Sequence, residues 1–443
     1  MKLNYKRTVL IGFAFFSICA FWQMYNNVIP LILTNTFHLN ESWSGVIMAA
    51  DNVLALFLLP FFGALSDKCH FRSGRRMPFI LWGTVAAVVL MMLLPVLDDR
   101  HFAAPSAGLK AAFIVVLGLL LVAMGTYRSP AVALMPDCTP KPLRSKGNAV
   151  INLMGALGGI VYLICAAVLY SADKTAGLEH VSYVKLFAVV GIIMLASVAV
   201  VKLTVNEKAL TDQVRAYEAE HPEENLADEA NGGALPKEVK RSLAFLLISV
   251  SLWFMGYNAV ETWFTTYAAR VWEMSLGTAS MCLTIATVGA IVCYLPSGLL
   301  ASRIGRKKCI LGGCILLAGS FFVGFLLTLL FDHFTPVLYV VFVLVGMAWA
   351  FINVNSLPMV VEMCSGADTG KFTGYYYTFS MAAQIITPIL SGLLLEHVGY
   401  QTLMPYATMM VAISFVTITL TRHGDNKPEP PKSKLEAFDV GDD

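Results

Sequence analysis

Long apolar stretches make up most of the chain, and short polar segments separate them. A helix needs about 20 mostly apolar residues to cross the hydrocarbon core of a bilayer. Twelve stretches meet this requirement, so the pattern predicts twelve transmembrane helices. Their centres lie near Phe15, Leu54, Val88, Leu119, Leu157, Ile193, Leu252, Val288, Leu317, Val345, Ile385 and Ile413.

The pattern changes between the sixth and seventh stretches, where acidic residues, prolines and glycines replace the apolar run. We predict a cytoplasmic linker at residues 205–241, between an N-terminal six-helix bundle (1–204) and a C-terminal six-helix bundle (242–424). Residues 425–443 are predicted to form a disordered cytoplasmic tail. The predicted fold class is an all-α membrane protein with twelve transmembrane helices in two six-helix bundles.

The lysine and arginine residues predict the orientation of these helices. Most of the 31 basic residues fall in alternate connecting segments, which include both termini. Cytoplasmic segments carry such an excess, so both termini are predicted to be cytoplasmic, in a multi-pass protein of the plasma (inner) membrane. The first apolar run is too long for a cleaved signal peptide. The opposite side holds Arg100, Lys110, Lys174, Lys185 and Arg270.

Composition narrows the function classes. At 57% hydrophobic and 14% charged, the chain lies outside the balance of soluble domains. A net charge of +2, spread over short basic clusters, argues against a nucleic-acid partner. No metal-ligand spacing, phosphate loop or nucleophile elbow is present, so no metal site, cofactor or catalytic residue is predicted. The nine cysteines mostly lie inside the apolar stretches, which does not favour a disulfide framework.

The two halves of the sequence echo each other. Leu59-Pro60, followed by Gly74-Arg75-Arg76, has a counterpart in Leu295-Pro296, followed by Gly305-Arg306-Lys307. A weaker echo pairs Pro130, Asp137 and Arg144 with Pro358, Glu362 and Lys371. Internal repeats of this kind are typical of secondary transporters.

Two segments carry a resemblance to a known family. Gly63-x-x-x-Asp67 with Gly74-Arg75-Arg76 resembles the loop 2/3 signature of the major facilitator superfamily. Residues 66–80 and 127–148 resemble matching segments of sucrose-proton symporters and their glycoside-transporting relatives, although Met77 replaces an arginine of that pattern. The resemblance implies a major facilitator fold and alternating access. It also implies uptake of a disaccharide or related glycoside. Because each chain is expected to contain a complete pathway, we predict a functional monomer in the lipid bilayer.

Ionisable residues inside membrane spans are costly and usually functional. Three are expected well inside the predicted spans: Asp51, Arg128 and Glu261. A buried carboxylate beside an arginine can load and release a proton, so these residues are the candidates for proton coupling. The structural alternative is a buried ion pair that fixes helix register. Related melibiose-type permeases bind sodium through two carboxylates on helix two. The matching turn here is apolar, which favours a proton over sodium.

Polar and aromatic residues recur at helical spacing on several predicted spans. The resemblance implies that spans one, four, seven and ten line a substrate cavity, and sugars bind to aromatic rings and amides. Interhelical hydrogen bonds and interfacial aromatic belts are the structural alternatives. The candidate substrate-binding residues are Gln23, Asn26, Asn27, Tyr127, Asn152, Tyr257, Asn258, Trp349, Asn353, Tyr377 and Gln384.

The charged residues of the two signatures are candidates for a conformational latch. A carboxylate at a helix end can pair with a base in one conformation and release it in another. The alternative is that the basic residues only set membrane orientation. The candidates are Asp67, Arg75, Arg76, Asp137, Arg144 and Arg306.

Two other functions stay open. A proton-driven antiporter that exports an amphiphilic small molecule would suit the interior rich in aromatic residues and methionine. A polytopic membrane transferase is a more remote alternative, because it needs a catalytic cluster in a long loop. The direction of substrate flux under a proton gradient separates import from export.

Overall fold

The computed structural model describes residues 3–69, 71, 73–140, 143–220, 236–363 and 369–425, and these residues form fourteen α-helices and no β-strand. A five-residue π-helical turn, Ile32–Thr36, extends the first helix, and a 3-10 turn, Tyr400–Thr402, precedes the last. The helices are α1 (Tyr5–Leu31), α2 (Glu41–Lys68), α3 (Met77–Ala103), α4 (Ala107–Asp137), α5 (Arg144–Leu169), α6 (Ala172–Thr175), α7 (Val184–Thr204), α8 (Glu207–Glu220), α9 (Lys237–Val271), α10 (Leu276–Ile304), α11 (Arg306–Leu330), α12 (Val337–Val361), α13 (Thr369–His397) and α14 (Leu403–Leu420).

Twelve of these helices, all except α6 and α8, are long and apolar enough to cross a membrane. The prediction of twelve transmembrane helices is therefore confirmed. Helices suit this environment because each satisfies its backbone hydrogen bonds within its own segment. Each of the predicted span centres falls inside one of the twelve helices.

The chain divides into two compact units. Unit 1 consists of Met1–Asn40, Ala50–Pro222 and Ser275–Ser280, and unit 2 consists of Glu41–Ala49, Glu223–Met274 and Met281–Asp443. The start of α2 therefore groups with unit 2, and the start of α10 groups with unit 1.

Both units use the same internal packing pattern. In unit 1, α1 packs on α5 and α7, while α3 packs on α4 and α7. In unit 2, α9 packs on α13 and α14, while α11 packs on α12 and α14. When the membrane-spanning helices are counted within each unit, the first packs on the fifth and sixth and the third packs on the fourth and sixth in both units. This agreement matches the echo between the two halves of the sequence.

Small residues allow the closest helix contacts. A Cβ added to Gly158 in α5 would lie 2.7 Å from the carbonyl carbon of Phe16 in α1. No larger residue fits there without moving one helix, as expected for small residues at helix interfaces.

Part of the predicted linker is helical. Helix α8 occupies residues 207–220, and α9 already begins at Lys237. The drop in hydropathy marks the end of a membrane span and not the end of helical structure. Helix α8 is rich in Glu, Lys, Ala, Gln and Arg, which all favour helix. The rest of the linker (221–235) and most of the predicted tail (426–443) lie outside the described residues.

Candidate functional site

Two of the predicted proton-coupling residues lie near each other inside unit 1. Arg128 of α4 places its guanidinium carbon 5.6 Å from the centre of the Trp22 ring of α1, in a cation–π arrangement. Asp51 of α2 accepts hydrogen bonds from the backbone N–H of Asn52 at 2.6 Å and from its side-chain amide at 2.9 Å. Arg128 acts electrostatically on Asp51 without a direct ion pair between these two described residues. The arrangement joins an acid, a base and an aromatic ring from three helices.

The predicted substrate-binding residues of α1 are Gln23, Asn26 and Asn27, and part of this polar stripe packs against α5. The amide of Asn27 donates to the backbone oxygen of Gln23 at 2.7 Å and to its side-chain oxygen at 3.3 Å. The Gln23 side chain would meet a Cβ added to Gly159 of α5 at 3.2 Å. Asn26, next to Asn27 in α1, and Asn152 of α5 are both half-buried. Gln23 and Asn27 therefore lie on the side of α1 that packs on α5.

Tyr127 is fully buried between helices. Its hydroxyl donates to the carbonyl oxygen of Ala14 at 2.8 Å and also contacts the Ser17 hydroxyl. These bonds join α4 to α1 and occupy the polar atom that a substrate would need. A role in substrate binding stays a prediction for this residue.

The aromatic candidates of unit 2 form one cluster. Tyr257 of α9 and Trp349 of α12 stack with ring centres 3.9 Å apart and planes 12° apart. Phe254 meets Trp349 edge-on at 5.2 Å and Tyr376 at 6.3 Å. Tyr377 in turn meets Tyr376 edge-on at 5.5 Å. We call Tyr257, Trp349 and Phe254 the aromatic platform.

Polar groups accompany this platform. Asn258 follows Tyr257 in α9, and its amide nitrogen is buried without a hydrogen-bond partner among the described residues. Glu261 lies one turn further along the same helix and is half-buried. Asn353, 8% exposed, follows Trp349 by one turn of α12, and Gln384 is half-buried in α13.

The latch candidates of unit 1 form a network of ion pairs. Arg75 Nη2 is 2.7 Å from Asp137 Oδ1, and Arg76 Nε is 2.9 Å from Asp137 Oδ2. Asp67 pairs with Arg76 and lies 3.6 Å from Arg75. Arg76 also donates to the Gly63 carbonyl oxygen at 3.2 Å. The predicted signature residues at the ends of α2, α3 and α4 are thus brought together.

A carboxylate that the sequence analysis missed completes this network. Glu207 of α8 accepts hydrogen bonds from the backbone N–H groups of Arg75, Arg76 and Met77 at 2.8, 2.8 and 2.9 Å. These are the orphan donors at the start of α3, where a negative charge is stabilising. Glu207 therefore caps α3 and ties α8 to the latch.

Unit 2 contains a similar but simpler arrangement. Arg306 at the start of α11 pairs with Glu362 at the end of α12. Asp425 accepts a hydrogen bond from the backbone N–H of Lys307 at 2.8 Å. The Lys307 ammonium group donates to the carbonyl oxygen of Thr421 at 2.6 Å. Arg144, the remaining latch candidate, begins α5 in unit 1, and its side chain lies outside the described part.

One buried carboxylate lies outside the set of predicted site residues. Besides the three predicted residues, α3 contains Asp98, whose side chain is fully buried, and its neighbour Asp99. The pair follows a long apolar run and lies near the C-terminal end of the helix. A helix of 27 residues includes both aspartates.

Comparison with known proteins identifies the family of this chain. The model of the Major Facilitator Superfamily matches residues 11–277 and 269–440. Sucrose transport protein SUC3 of Arabidopsis thaliana is 30% identical over an alignment of 138 residues that covers 28% of this chain and 23% of SUC3. Sucrose transport protein SUT3 of Oryza sativa subsp. indica is 29% identical over 138 residues, 28% of this chain and 27% of SUT3. The matches span about a quarter of the length of these relatives.

Solved structures agree on the fold. A bacterial homologue of the iron transporter ferroportin, inward-facing, matches with a TM-score of 0.70 and 12% identity over 95% of this chain and 100% of its own. The xylose transporter XylE from E. coli matches with a TM-score of 0.64 and 12% identity over 94% of this chain and 98% of its own. At such identities the likeness shows the fold alone, and it confirms the predicted fold class.

Proposed function

The chain belongs to the Major Facilitator Superfamily, a family of transporters and not of enzymes, and we propose that it takes up a disaccharide or related glycoside together with a proton. It is a multi-pass membrane protein. We place it in the plasma membrane with both termini cytoplasmic. The aromatic platform of unit 2 carries the proposal, and the partial likeness to sucrose transport proteins supports it.

The platform has the chemistry that sugar recognition needs. An aromatic ring packs against the apolar face of a sugar, while amides bond to its hydroxyls. Tyr257 is half-buried and Trp349 is 7% exposed. Trp349 therefore supports one face of Tyr257, which leaves Tyr257 as the ring for the sugar. The unpartnered amide nitrogen of Asn258 is a donor for a sugar hydroxyl.

Asp51 and Arg128 are proposed to couple transport to the proton. A carboxylate in a membrane span is expensive, and pairing or protonation lowers that cost. With Asp51 ionised, the guanidinium of Arg128 balances its charge. With Asp51 protonated, the cation lacks that balance, so the two protonation states favour different conformations. Glu261 is the second candidate, on α9 beside the platform residues.

Transport into proteoliposomes tests the proposal. The purified chain should accumulate labelled sucrose or maltose under an inward proton gradient in sodium-free buffer, and a protonophore should abolish the accumulation. Empty liposomes are the control. Export under the same gradient would indicate the antiporter instead. Accumulation that requires sodium would contradict proton coupling.

An Asp51→Asn variant separates coupling from binding. It should lose gradient-driven accumulation and keep equilibrium exchange, because the amide cannot carry the proton. Asp173→Asn is the matched control, since Asp173 is an exposed carboxylate in α6. Full accumulation by the Asp51→Asn variant would remove Asp51 from this role.

A change at Tyr257 tests the platform. Tyr257→Ala should weaken sugar binding by roughly 2- to 10-fold, the equivalent of about 0.5–1.5 kcal/mol for one aromatic contact. Tyr257→Phe keeps the ring and should bind like the parent. Equal affinity in both variants would show that the ring does not contact the sugar.

A further inference from the structure

Three potential metal ligands meet in unit 1, apart from the sites described so far. Asp98 and Asp99 lie near the C-terminal end of α3, and His180 lies in the segment between α6 and α7. One ligand atom from each residue lies within 4.8 Å of the other two. His180 Nε2 is 2.9 Å from Asp99 Oδ1 and 3.7 Å from Asp98 Oδ2.

Asp98 is the unusual member of this group. Its side chain is fully buried. The Thr36 hydroxyl is the hydrogen-bonding group that acts on its carboxylate, although neither oxygen has a partner at normal hydrogen-bond distance within the described part of the chain. The charged groups that act on it are His180 and Asp99. A buried carboxylate is strongly unfavourable unless hydrogen bonds and positive charge balance it, and a single hydroxyl supplies little of that balance. A single imidazole balances at most one of the two adjacent negative charges, so one negative charge stays unbalanced when both carboxylates are ionised.

Neighbouring groups hold the donors in position. The His180 ring stacks on Phe102 with centres 4.4 Å and planes 12° apart. The Ser182 hydroxyl donates to Asp99 Oδ2 at 2.7 Å, and the Tyr170 hydroxyl donates to the Ser182 carbonyl oxygen at 2.8 Å. The orientation of two of the ligands is thus fixed by contacts outside the group.

We propose that Asp98, Asp99 and His180 form a binding site for a divalent transition-metal ion of the zinc type. Two carboxylates with one imidazole suit zinc and similar ions, whereas calcium and magnesium prefer oxygen ligands throughout. Tetrahedral ligands at about 2.1 Å from zinc lie about 3.4 Å from one another. The two distances to His180 Nε2 fall on either side of that value, so small side-chain rotations bring the donors onto one ion.

The ion would join α3 to the segment that precedes α7. Asp98 lies 21 residues along α3 from Met77, which is about 30 Å at the rise of an α-helix. The site is therefore at the end of unit 1 opposite the latch, and in the predicted orientation it faces the outside. This site goes beyond the transport proposal and does not depend on it.

Zinc titration of the purified full-length chain, without a histidine tag and after chelator treatment, tests the site. Calorimetry should give one zinc per chain. Asp99→Asn and His180→Gln should each weaken binding at least about 10-fold. Glu179→Gln is the matched control, because Glu179 is exposed and adjacent to His180; it should bind like the parent.

Cobalt gives a second measurement on the unchanged chain. Bound Co²⁺ should show the visible absorption of a tetrahedral ion and should be displaced by one equivalent of zinc. This readout stands even where a variant fails to fold. Absence of zinc binding by the parent chain would overturn the proposal. Equal binding by the parent, Asp99→Asn and His180→Gln would overturn it too, because the metal would then lie elsewhere.

Discussion

The cap on α3 leads to a stability prediction that distinguishes the two units. Glu207 is 2% exposed and accepts three backbone N–H groups at the start of α3. The equivalent carboxylate of unit 2, Asp425, is exposed and accepts one backbone N–H group, at the start of α11. Replacement of each by alanine should therefore have very different effects.

The magnitude follows from the number and burial of these bonds. A hydrogen bond to a charged group contributes about 1.5–3 kcal/mol, and bonds that share one acceptor are not additive. For Glu207→Ala we expect a loss of about 3–5 kcal/mol, which includes the interaction with the helix dipole. For Asp425→Ala we expect about 0.5–1 kcal/mol, because solvent screens an exposed carboxylate. Glu207→Gln should fall between the parent and Glu207→Ala, because it keeps an acceptor oxygen and loses the charge.

Thermal unfolding of the purified chain in detergent measures this difference. A loss of 1 kcal/mol lowers Tm by about 2–4 °C for a unit of 150–250 residues. Glu207→Ala should thus lower Tm by roughly 6–20 °C, and Asp425→Ala by less than about 4 °C. Asp212→Asn, an exposed carboxylate on the same helix as Glu207, should leave Tm unchanged. A Glu207→Ala shift no larger than that of Asp212→Asn would refute the reasoning.

Two further predictions concern packing and thiol chemistry. Gly158→Val should abolish folded, monodisperse protein on gel filtration, because its side chain would enter the backbone of α1 at Phe16, while Gly118→Ala, with open space around it, should be neutral. Normal yield of the first variant would contradict the close contact. Burial, with neighbouring carboxylates, raises the pKa of the Cys138 thiol to about 12. The thiolate is the reactive form, so maleimide should label Cys138 slowly at about pH 7–9, where this thiol stays protonated, whereas the half-buried Cys69 should react first. Equal labelling rates for Cys138 and Cys69 would contradict the raised pKa of Cys138.

The fold was predictable because hydropathy is a local property. Twenty apolar residues in sequence suffice to indicate a span, and all twelve were found in this way. The substrate stripes were less predictable. Periodicity placed Gln23 and Asn27 on one face of α1, but it could not show that this face packs on α5. Likewise, periodicity does not indicate that Trp22, which precedes Gln23 in the chain, contacts Arg128 of α4.

Side chains joined over long sequence separations were the hardest to predict. Gly74 and Gly305 belong to the repeated signatures, and both have positive φ angles, 108° and 98°. A Cβ on Gly74 would overlap the Glu207 carboxylate and lie 2.8 Å from Glu207 Cβ, and one on Gly305 would lie 2.9 Å from Asp425 Oδ1.

Each glycine therefore serves two purposes: its φ angle suits the turn before a helix, and its missing side chain leaves room for the capping carboxylate. The sequence displays the glycines, but the carboxylates follow more than 110 residues later, with no motif of their own. The presence of the cap in both units therefore follows from the three-dimensional structure and not from the sequence. The cap has three backbone hydrogen bonds on α3 and one on α11. The stronger cap is therefore on α3, next to the ion pairs of the predicted latch. Movement of that latch should therefore leave α3 and α8 joined, so that α8 moves with unit 1.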